Sequence, residues 1–220
     1  MTGKLILVRH GETEGNVAKI LDTRLPGLPL TERGATQAKN FGANLTTPPQ
    51  RLFSSAALRA RQTGGYIEAA TGVPLEVLEG LQEVQLGELE GSGTAAAHER
   101  FQDIYHAWHS GDLSLRVPGG ESGEEVLARY IPTLERLRDD YLTDPAGGDV
   151  IVVSHGAAMR LVSRELTGVP WLFAANNHLD NTETIELLPA GDGRWTCTRW
   201  GRYTPPFAGA TEPTGDDPMG

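Results

Sequence analysis

The segment LILVRHGETEGN, residues 5–16, begins with four apolar residues and turns polar at Arg9 and His10. A continuous apolar run without alternation is typical of a parallel strand covered on both faces by helices. The segment DVIVVSHG, residues 149–156, repeats this pattern and ends in a polar residue, a histidine and a glycine. In such sheets ligands lie beyond the carboxyl ends of the strands. If the two strands are parallel neighbours, Arg9, His10 and His155 extend from one edge.

The rest of the chain predicts alternating strands and helices. Further strands are predicted at residues 51–55 and 75–81, and residues 183–201 predict a closing hairpin. Helices are predicted at 29–45 with Thr31 as N-cap, at 57–70, 94–109 and 157–166, and from a capping box of Ser122 and Glu125, with a kink at Pro132. This alternation predicts one mostly parallel sheet with helices on both faces.

The composition is typical of one α/β domain. The 220 residues are 39% hydrophobic, which suffices for a full core, and we assign residues 1–203 to one domain. A tail rich in proline, glycine and acid follows at 204–220, and we expect it to be loosely held. The net charge of −10 argues against nucleic-acid and anionic-membrane partners. Short apolar runs, no secretory signal and a single cysteine, Cys197, predict a cytoplasmic protein without a disulfide.

The predicted sheet edge suits phosphoryl chemistry. Repulsion among His10, His155 and Arg9 favours at least one neutral imidazole, which is a competent nucleophile. Arginine presents a planar fork that matches phosphate oxygens. The surroundings of the two histidines therefore predict a pocket for a phosphoryl group.

Residues after the first two strands can extend this pocket. Gly11 would let the backbone approach a ligand, and Thr13 and Asn16 can add hydrogen bonds. Arg59 and Arg61 follow the strand at 51–55, and because they are two positions apart on a helix, only one can face the pocket. We predict that it is Arg59.

Phosphoryl transfer to a histidine also requires a proton for the leaving oxygen. Glu83 follows the predicted strand at 75–81 and is our candidate acid. Burial beside Val84 and Leu86 favours a protonated acid, whereas the nearby cations favour a carboxylate, and the sequence leaves this balance open. A solvated loop acid is the alternative.

Four ordered motifs carry a resemblance to a known family. They are LVRHGETEGN at residues 7–16, SSAALRARQT at 54–63, LQEVQLGELEG at 81–91 and VVSHG at 152–156. Together they resemble the histidine phosphatase superfamily, also called the phosphoglycerate mutase-like family, over roughly residues 4–188. The resemblance implies a three-layer α/β/α sandwich with a mostly parallel central sheet. The helix-like run between glycine-rich joints at about residues 91–120 predicts a helical lid insertion.

The resemblance also implies roles for particular residues. The implied catalytic residues are His10, Glu83, His155, Arg9 and Arg59, and the predicted substrate-binding residues are Gly11, Thr13, Asn16, Arg24 and Gly156. His10 would become phosphorylated, and Glu83 would protonate the leaving group and then activate water. Arg9, Arg59 and His155 would bind the phosphoryl oxygens, with Asn16 assisting. No metal or cofactor is implied. The expected ligand is a small phosphorylated metabolite, and the oligomeric state, with a homodimer as one option, stays open.

Several departures from the family pattern bear on the reaction. The segment KILDTRLPGLPLT, residues 19–31, replaces the usual sequence and makes Arg24 a candidate contact, while the acid Glu183 could disfavour some anionic substrates. Mutases have a pair of arginines in a longer middle segment, but residues 91–120 contain only Arg100 and Arg116. We therefore predict a metal-independent phosphatase, with a mutase and a non-catalytic phospholigand-binding module as alternatives.

Other polar residues receive structural interpretations. Ser154 lacks the G-x-S-x-G turn of a nucleophilic serine and is predicted to be structural. His106 and His109 lack a third metal ligand and are expected on the lid surface, and Tyr105 and Trp108 are expected to pack the lid. His178 either borders the pocket or is an ordinary loop histidine.

Overall fold

The computed structural model describes residues 3–191 and 193–208. Its strands are β1 Leu5–Arg9, β2 Arg51–Ser54, β3 Leu75–Val77, β4 Val150–Ser154, β5 Thr184–Pro189 and β6 Trp195–Trp200. Its helices are α1 Glu14–Ala18, α2 Glu32–Ala43, α3 Leu58–Thr71, α4 Ala95–Ser110, α5 Gly123–Tyr141, α6 Gly156–Thr167 and α7 Trp171–Asn176, with a 3₁₀ turn at Gly87–Leu89. The predicted elements are confirmed, except that the strand predicted at 75–81 ends at Val77, and the kink at Pro132 stays a prediction. Helix α7 was not predicted from the sequence.

The six strands form one sheet in the order β3-β2-β4-β1-β5-β6. The four strands β3, β2, β4 and β1 are parallel to one another, and β5 and β6 are antiparallel to their neighbours. In the pairing of β1 with β4, Arg9 lies opposite Ser154. The next residues, His10 and His155, therefore leave the sheet side by side at its carboxyl edge.

The residues of β4 alternate between two hydrophobic clusters. Val150 and Val152 pack with residues of α4, α5 and α6 on one face, while Ile151 and Val153 pack with residues of α3 on the other. Side chains of successive strand residues point to opposite faces, so an all-apolar strand is one with both faces covered. The result is the predicted three-layer α/β/α arrangement.

Side-chain caps and glycines set the ends of the helices where the sequence predicts them. Thr31 accepts a hydrogen bond from the backbone of Gly34 at the start of α2, and Ser122 and Glu125 form the capping box of α5. Gly72 and Gly168 end α3 and α6 in the left-handed conformation. No helix in the described part of the chain is long and apolar enough to cross a membrane.

The predicted lid segment is anchored by α4. Phe101, Tyr105 and Trp108 are fully buried in the main core, as expected for packing residues. His109 is also fully buried, which corrects its expected place on the lid surface. The helix presents that face to α6 and α7, so residues a turn apart along it share the same burial. The lid function itself stays a prediction.

The predicted tail begins at Thr204, and its first residues contact the domain. The ring of Phe207 packs on that of Phe173, with 5.1 Å between ring centroids. The remainder of the predicted tail, residues 209–220, lies outside the described residues.

Candidate active site

A cavity of about 190 Å³ opens at the carboxyl edge of the sheet, where β1 and β4 end. It is lined by Arg9, His10, Gly15, Asn16, Lys19, Ile20, Asp22, Arg59, Glu83, His98 and Gly156. Pockets for drug-sized ligands usually measure about 300–1,000 Å³, so this one suits a small ligand. Six of the ten residues predicted from the sequence are on its wall.

His10 is held by both ring nitrogens. Its Nδ1 lies 2.8 Å from the carbonyl oxygen of Gly11, and its Nε2 lies 3.1 Å from Nε of Arg59, which donates to it. The carbonyl can only accept, so this network assigns the ring proton to Nδ1 and leaves a lone pair on Nε2. That lone pair makes Nε2 the nucleophilic atom of the ring.

Burial and the charges around His10 favour the neutral form of its ring. Burial, followed by the positive charges of Arg59 and Arg9, lowers the pKa of His10 well below its ordinary value. Burial also lowers the pKa of Arg9 to about 10 and lowers that of Arg59, with Asp22 opposing the shift of Arg59. Two buried cations beside a neutral imidazole form an environment that attracts an anion.

His155 lies beside His10, although it is not among the residues of the cavity wall. Its ring centroid is 5.3 Å from that of His10, and its Nε2 is 2.7 Å from Oγ of Ser55. Nδ1 of His155 is buried and has no partner among the described protein atoms. Burial, then Arg59 and His10, lowers the pKa of His155 well below its ordinary value. Ser55 was not predicted as a site residue, although its position after β2 places it at the same sheet edge.

Glu83 is buried on the cavity wall, at the N-terminus of α6. Its carboxylate accepts hydrogen bonds from the backbone nitrogens of Ala158 at 2.8 Å and Ala157 at 3.1 Å, and from that of Val84 at 2.8 Å. Only 2% of Glu83 is exposed, which contradicts the alternative of a solvated loop acid. These contacts fix the orientation of the carboxylate beside the cavity.

The structure gives Gly11 and Thr13 structural contacts next to the site. A Cβ on Gly11 would lie 2.5 Å from the carbonyl oxygen of Gly34, so this glycine permits close packing against α2. The hydroxyl of Thr13 caps α1 by accepting from the backbone of Asn16. Neither residue is on the cavity wall, and their contacts position His10 and Asn16, which are.

Asn16 itself lines the cavity. Its Oδ1 accepts from the backbone of Thr13 at 3.1 Å and from Nδ2 of Asn181 at 3.3 Å, and Asn181 also donates to the carbonyl oxygen of His10. Because these donors already occupy Oδ1, Asn16 can bind a ligand through its NH₂ group, as a hydrogen-bond donor.

In the segment at residues 19–31, the residues that line the cavity differ from the predicted contact, Arg24. Arg24 is exposed and lies outside the cavity wall, whereas Asp22 is on it. The Asp22 carboxylate is held by the backbone of Leu28 at 2.8 Å and lies 3.5 Å from Nη1 of Arg59. Its partial burial beside a buried arginine was not visible in the sequence, because both contacts depend on how the loop folds back.

Two further predictions concern residues near the site. Ser154 is structural, since its hydroxyl donates to the carbonyl oxygen of Leu81 and accepts from Tyr130. His178 and Glu183 line a second cavity, separate from the one at His10, so His178 does not border the main pocket. Within residues 3–191 and 193–208, no three His, Cys, Asp or Glu side chains are grouped as a metal site requires.

The family model for the histidine phosphatase superfamily (branch 1) matches residues 5–202. The chain belongs to the histidine phosphatase superfamily. This match spans the whole described domain apart from its ends, and it includes every residue of the cavity wall.

Relatives in this superfamily have names from two reaction classes. A protein of Hydrogenobacter thermophilus named as a phosphoserine phosphatase is 30% identical over 86% of this chain and 91% of its own length. A 2,3-bisphosphoglycerate-dependent phosphoglycerate mutase of Methylobacterium radiotolerans is 32% identical over 75% of this chain and 79% of its own. Superfamily members are phosphatases and mutases, so this chain is an enzyme of that class.

A solved structure supports the same fold. The mycobacterial glucosyl-3-phosphoglycerate phosphatase superimposes with a TM-score of 0.77 at 26% identity, covering 92% of this chain and 100% of that one. The phosphoglycerate mutase-like fold predicted from the motifs is confirmed.

Proposed function

We propose that this histidine phosphatase superfamily member hydrolyses a small phosphomonoester through a phosphohistidine at His10. The observation that carries the proposal is the neutral His10 ring, whose Nε2 lone pair lies beside two buried arginines on a cavity wall. No metal or cofactor takes part in the proposed reaction.

The first step transfers the phosphoryl group to the protein. Nε2 of His10 attacks phosphorus, the bond from phosphorus to the ester oxygen breaks, and Glu83 gives its proton to the departing oxygen. Arg9 and Arg59 stabilise the negative charge on the equatorial phosphoryl oxygens. Nδ1 of His155, which has no partner among the described protein atoms, can donate a third hydrogen bond to them.

The second step returns the protein to its starting state. Water attacks phosphorus and gives a proton to Glu83, while the bond to Nε2 breaks and its electrons return to the ring of His10. Inorganic phosphate then leaves. The protons balance over the two steps, because Glu83 loses one in the first and regains one in the second.

The surroundings of the cavity favour hydrolysis over mutase chemistry. A mutase must hold a second anionic group of its substrate, and the wall beyond the phosphoryl site contributes Lys19 but also the carboxylate of Asp22. Arg100 is exposed and Arg116 is paired with Glu125, and neither lines the cavity. A non-catalytic binding module is disfavoured because His10 and Glu83 both line the same cavity.

A panel of phosphomonoesters tests the proposal, with wild type and His10→Ala assayed in the presence of EDTA. We expect phosphate release by wild type, no effect of EDTA and no release by the variant. Acid-labile, alkali-stable phosphate should be trapped on wild type alone in a rapid quench. Equal activity of the variant, or abolition by EDTA alone, would refute the mechanism.

A second assay separates hydrolysis from mutase activity. Interconversion of 2- and 3-phosphoglycerate is measured beside phosphate release from the same substrates. Rapid interconversion with little release would make the mutase the correct assignment.

We also propose a cytoplasmic enzyme, on the basis of the sequence expectation given above.

A further inference from the structure

We propose that Arg129 and Glu121 form a clamp that positions Glu83 for proton transfer. This inference rests on the proposed function, because it concerns the acid of that reaction. Neither residue lines the cavity, so both act through Glu83 rather than on the substrate.

The guanidinium of Arg129 binds the backbone that leads to Glu83. Arg129 lies within α5, and its Nη1 donates to the carbonyl oxygens of Gly80 and Gln82, both at 2.8 Å. Its Nη2 donates to the carbonyl oxygen of Glu83 at 3.0 Å. Three carbonyl groups within four residues thus share one side chain.

Glu121 completes the clamp from the other side. Its carboxylate accepts from Nε of Arg129 at 2.7 Å and from Nη2 at 2.9 Å, and it also accepts from the backbone of Gln85 at 2.8 Å. The side chain of Gln85 in turn donates to the carbonyl oxygen of Glu83. All five N–H bonds of the guanidinium are therefore used, which a lysine could not reproduce.

The local backbone explains why a clamp is required. Residues 78–86 form neither helix nor strand, so their carbonyl groups have no regular ladder to bind. The segment also packs tightly on α5, since a Cβ on Gly80 would lie 2.5 Å from the carbonyl oxygen of Arg129. Arg129 and Glu121 each keep only 16% of the side chain exposed, which limits screening of the pair by salt.

Glu83 is thus held at two ends. The clamp holds its main chain, and the amides of Ala157 and Ala158 hold its carboxylate. The phosphoryl-binding groups use other supports: Arg9 donates to the carbonyl oxygen of Leu179, and Arg59 lies beside Asp22. Loss of the clamp should therefore displace the acid and leave the phosphoryl site in place.

This separation predicts a defect that depends on the leaving group. An alkyl ester needs a proton on its departing oxygen, whereas p-nitrophenolate is stable without one. The quantity to compare is kcat/KM, because it reports the steps up to leaving-group departure. The alkyl substrate is the phosphomonoester that wild type hydrolyses best in the panel described above.

We expect Arg129→Met to lower kcat/KM for the alkyl ester by about 10²-fold and for p-nitrophenyl phosphate by about threefold or less, since general acid catalysis typically contributes 10²–10⁴-fold. Arg129→Lys should recover part of the loss, because an ammonium can bind some of the carbonyl groups. Inhibition by inorganic phosphate should be unchanged in both variants.

Arg116→Met is the matched control. Arg116 pairs with Glu125 near the start of α5 and also donates to the carbonyl oxygen of Gly120, but it makes no bond to residues 80–83. The Arg116→Met substitution removes an arginine–glutamate pair from the same region without touching the segment that carries Glu83. We therefore expect this variant to hydrolyse both substrates at the wild-type rate.

The outcomes distinguish the clamp from the proposed function. An equal loss for both substrates in Arg129→Met, or no loss, overturns the clamp. If that variant does not fold, Glu121→Gln is judged by the same criterion. Glu83→Gln must itself be selective for the alkyl ester: equal losses there refute the proton role of Glu83 and with it the proposed function. Selectivity in Glu83→Gln without selectivity in Arg129→Met overturns only the clamp.

Discussion

His10 and His109 are two buried histidines with similar electrostatics and different surroundings. Burial, and then a nearby arginine, lowers the pKa of each well below its ordinary value, with Arg59 beside His10 and Arg160 beside His109. His10 lines the cavity, whereas His109 packs edge-on against Tyr105 in the core, 4.5 Å between ring centroids. A lowered pKa by itself does not identify a catalytic histidine. Its position on the cavity wall is what separates His10 from His109.

Substituting the two histidines one at a time should give the largest expected difference in activity. We expect His10→Ala to lower kcat/KM by about 10³-fold or more, because the nucleophile is lost. His109→Leu should retain activity within about threefold, because both ring nitrogens of His109 lack partners among the described residues and an apolar side chain leaves no polar group unpaired. Steady-state assays on the phosphomonoester panel measure both. A large loss of activity in His109→Leu would contradict the assignment of His109 to the core alone.

The backbone beside His10 offers a second test. A Cβ on Gly34 would lie 2.0 Å from the carbonyl oxygen of Glu12, next to the residue that holds the His10 ring. Gly34→Ala should lower the free energy of unfolding by about 1–3 kcal/mol, the range for overpacked sites, and should also lower activity. Urea denaturation and kcat/KM provide the measurements.

Gly65→Ala is the control for this substitution. Gly65 lies in α3 with no atom within 4 Å of an added Cβ, so alanine should raise stability by about 0.5–1 kcal/mol through its helix propensity. An equal destabilisation of both variants would show that the close approach at Gly34 is not the cause.

Both His10 and His109 should contribute to the pH dependence of stability. The folded-state pKa of each is below the ordinary value of 6.5, so below about pH 6.5 the unfolded chain binds protons that the folded chain does not, and stability falls as pH falls. Each group contributes a slope of up to about 1.4 kcal/mol per pH unit. His10→Ala and His109→Leu should therefore each flatten the slope between about pH 6.5 and 5, as measured by urea denaturation. An unchanged slope in either variant would contradict its lowered pKa.

A smaller effect is expected at the cap that positions Asn16. Thr13→Ala removes the N-cap oxygen of α1 and should cost about 1 kcal/mol of stability, with a raised KM because Asn16 loses its support on the cavity wall. Thr13→Ser retains the oxygen and should restore both values. A raised KM in the serine variant as well would point to the methyl group instead of the cap.

The sequence by itself determined the layers, the sheet edge and the main residues on it. Apolar runs and strand exits are local properties, so the periodicity of residues 5–9 and 150–154 predicts two covered strands with His10 and His155 after them. The helical repeat likewise predicts that only one of Arg59 and Arg61 faces the pocket; Arg59 lines the cavity and Arg61 is exposed.

Only the tertiary structure decided what each neighbouring residue does. Gly11 meets Gly34, and Glu83 meets the amides of α6, across separations that no local pattern records. The same holds for Asp22, which lies on the cavity wall although Arg24 was the predicted contact of this segment, and for His109, whose burial depends on the helices packed around α4. The physical reason is that local periodicity specifies which face of an element is apolar, whereas the partner of a polar atom is set by the folding of distant segments against it.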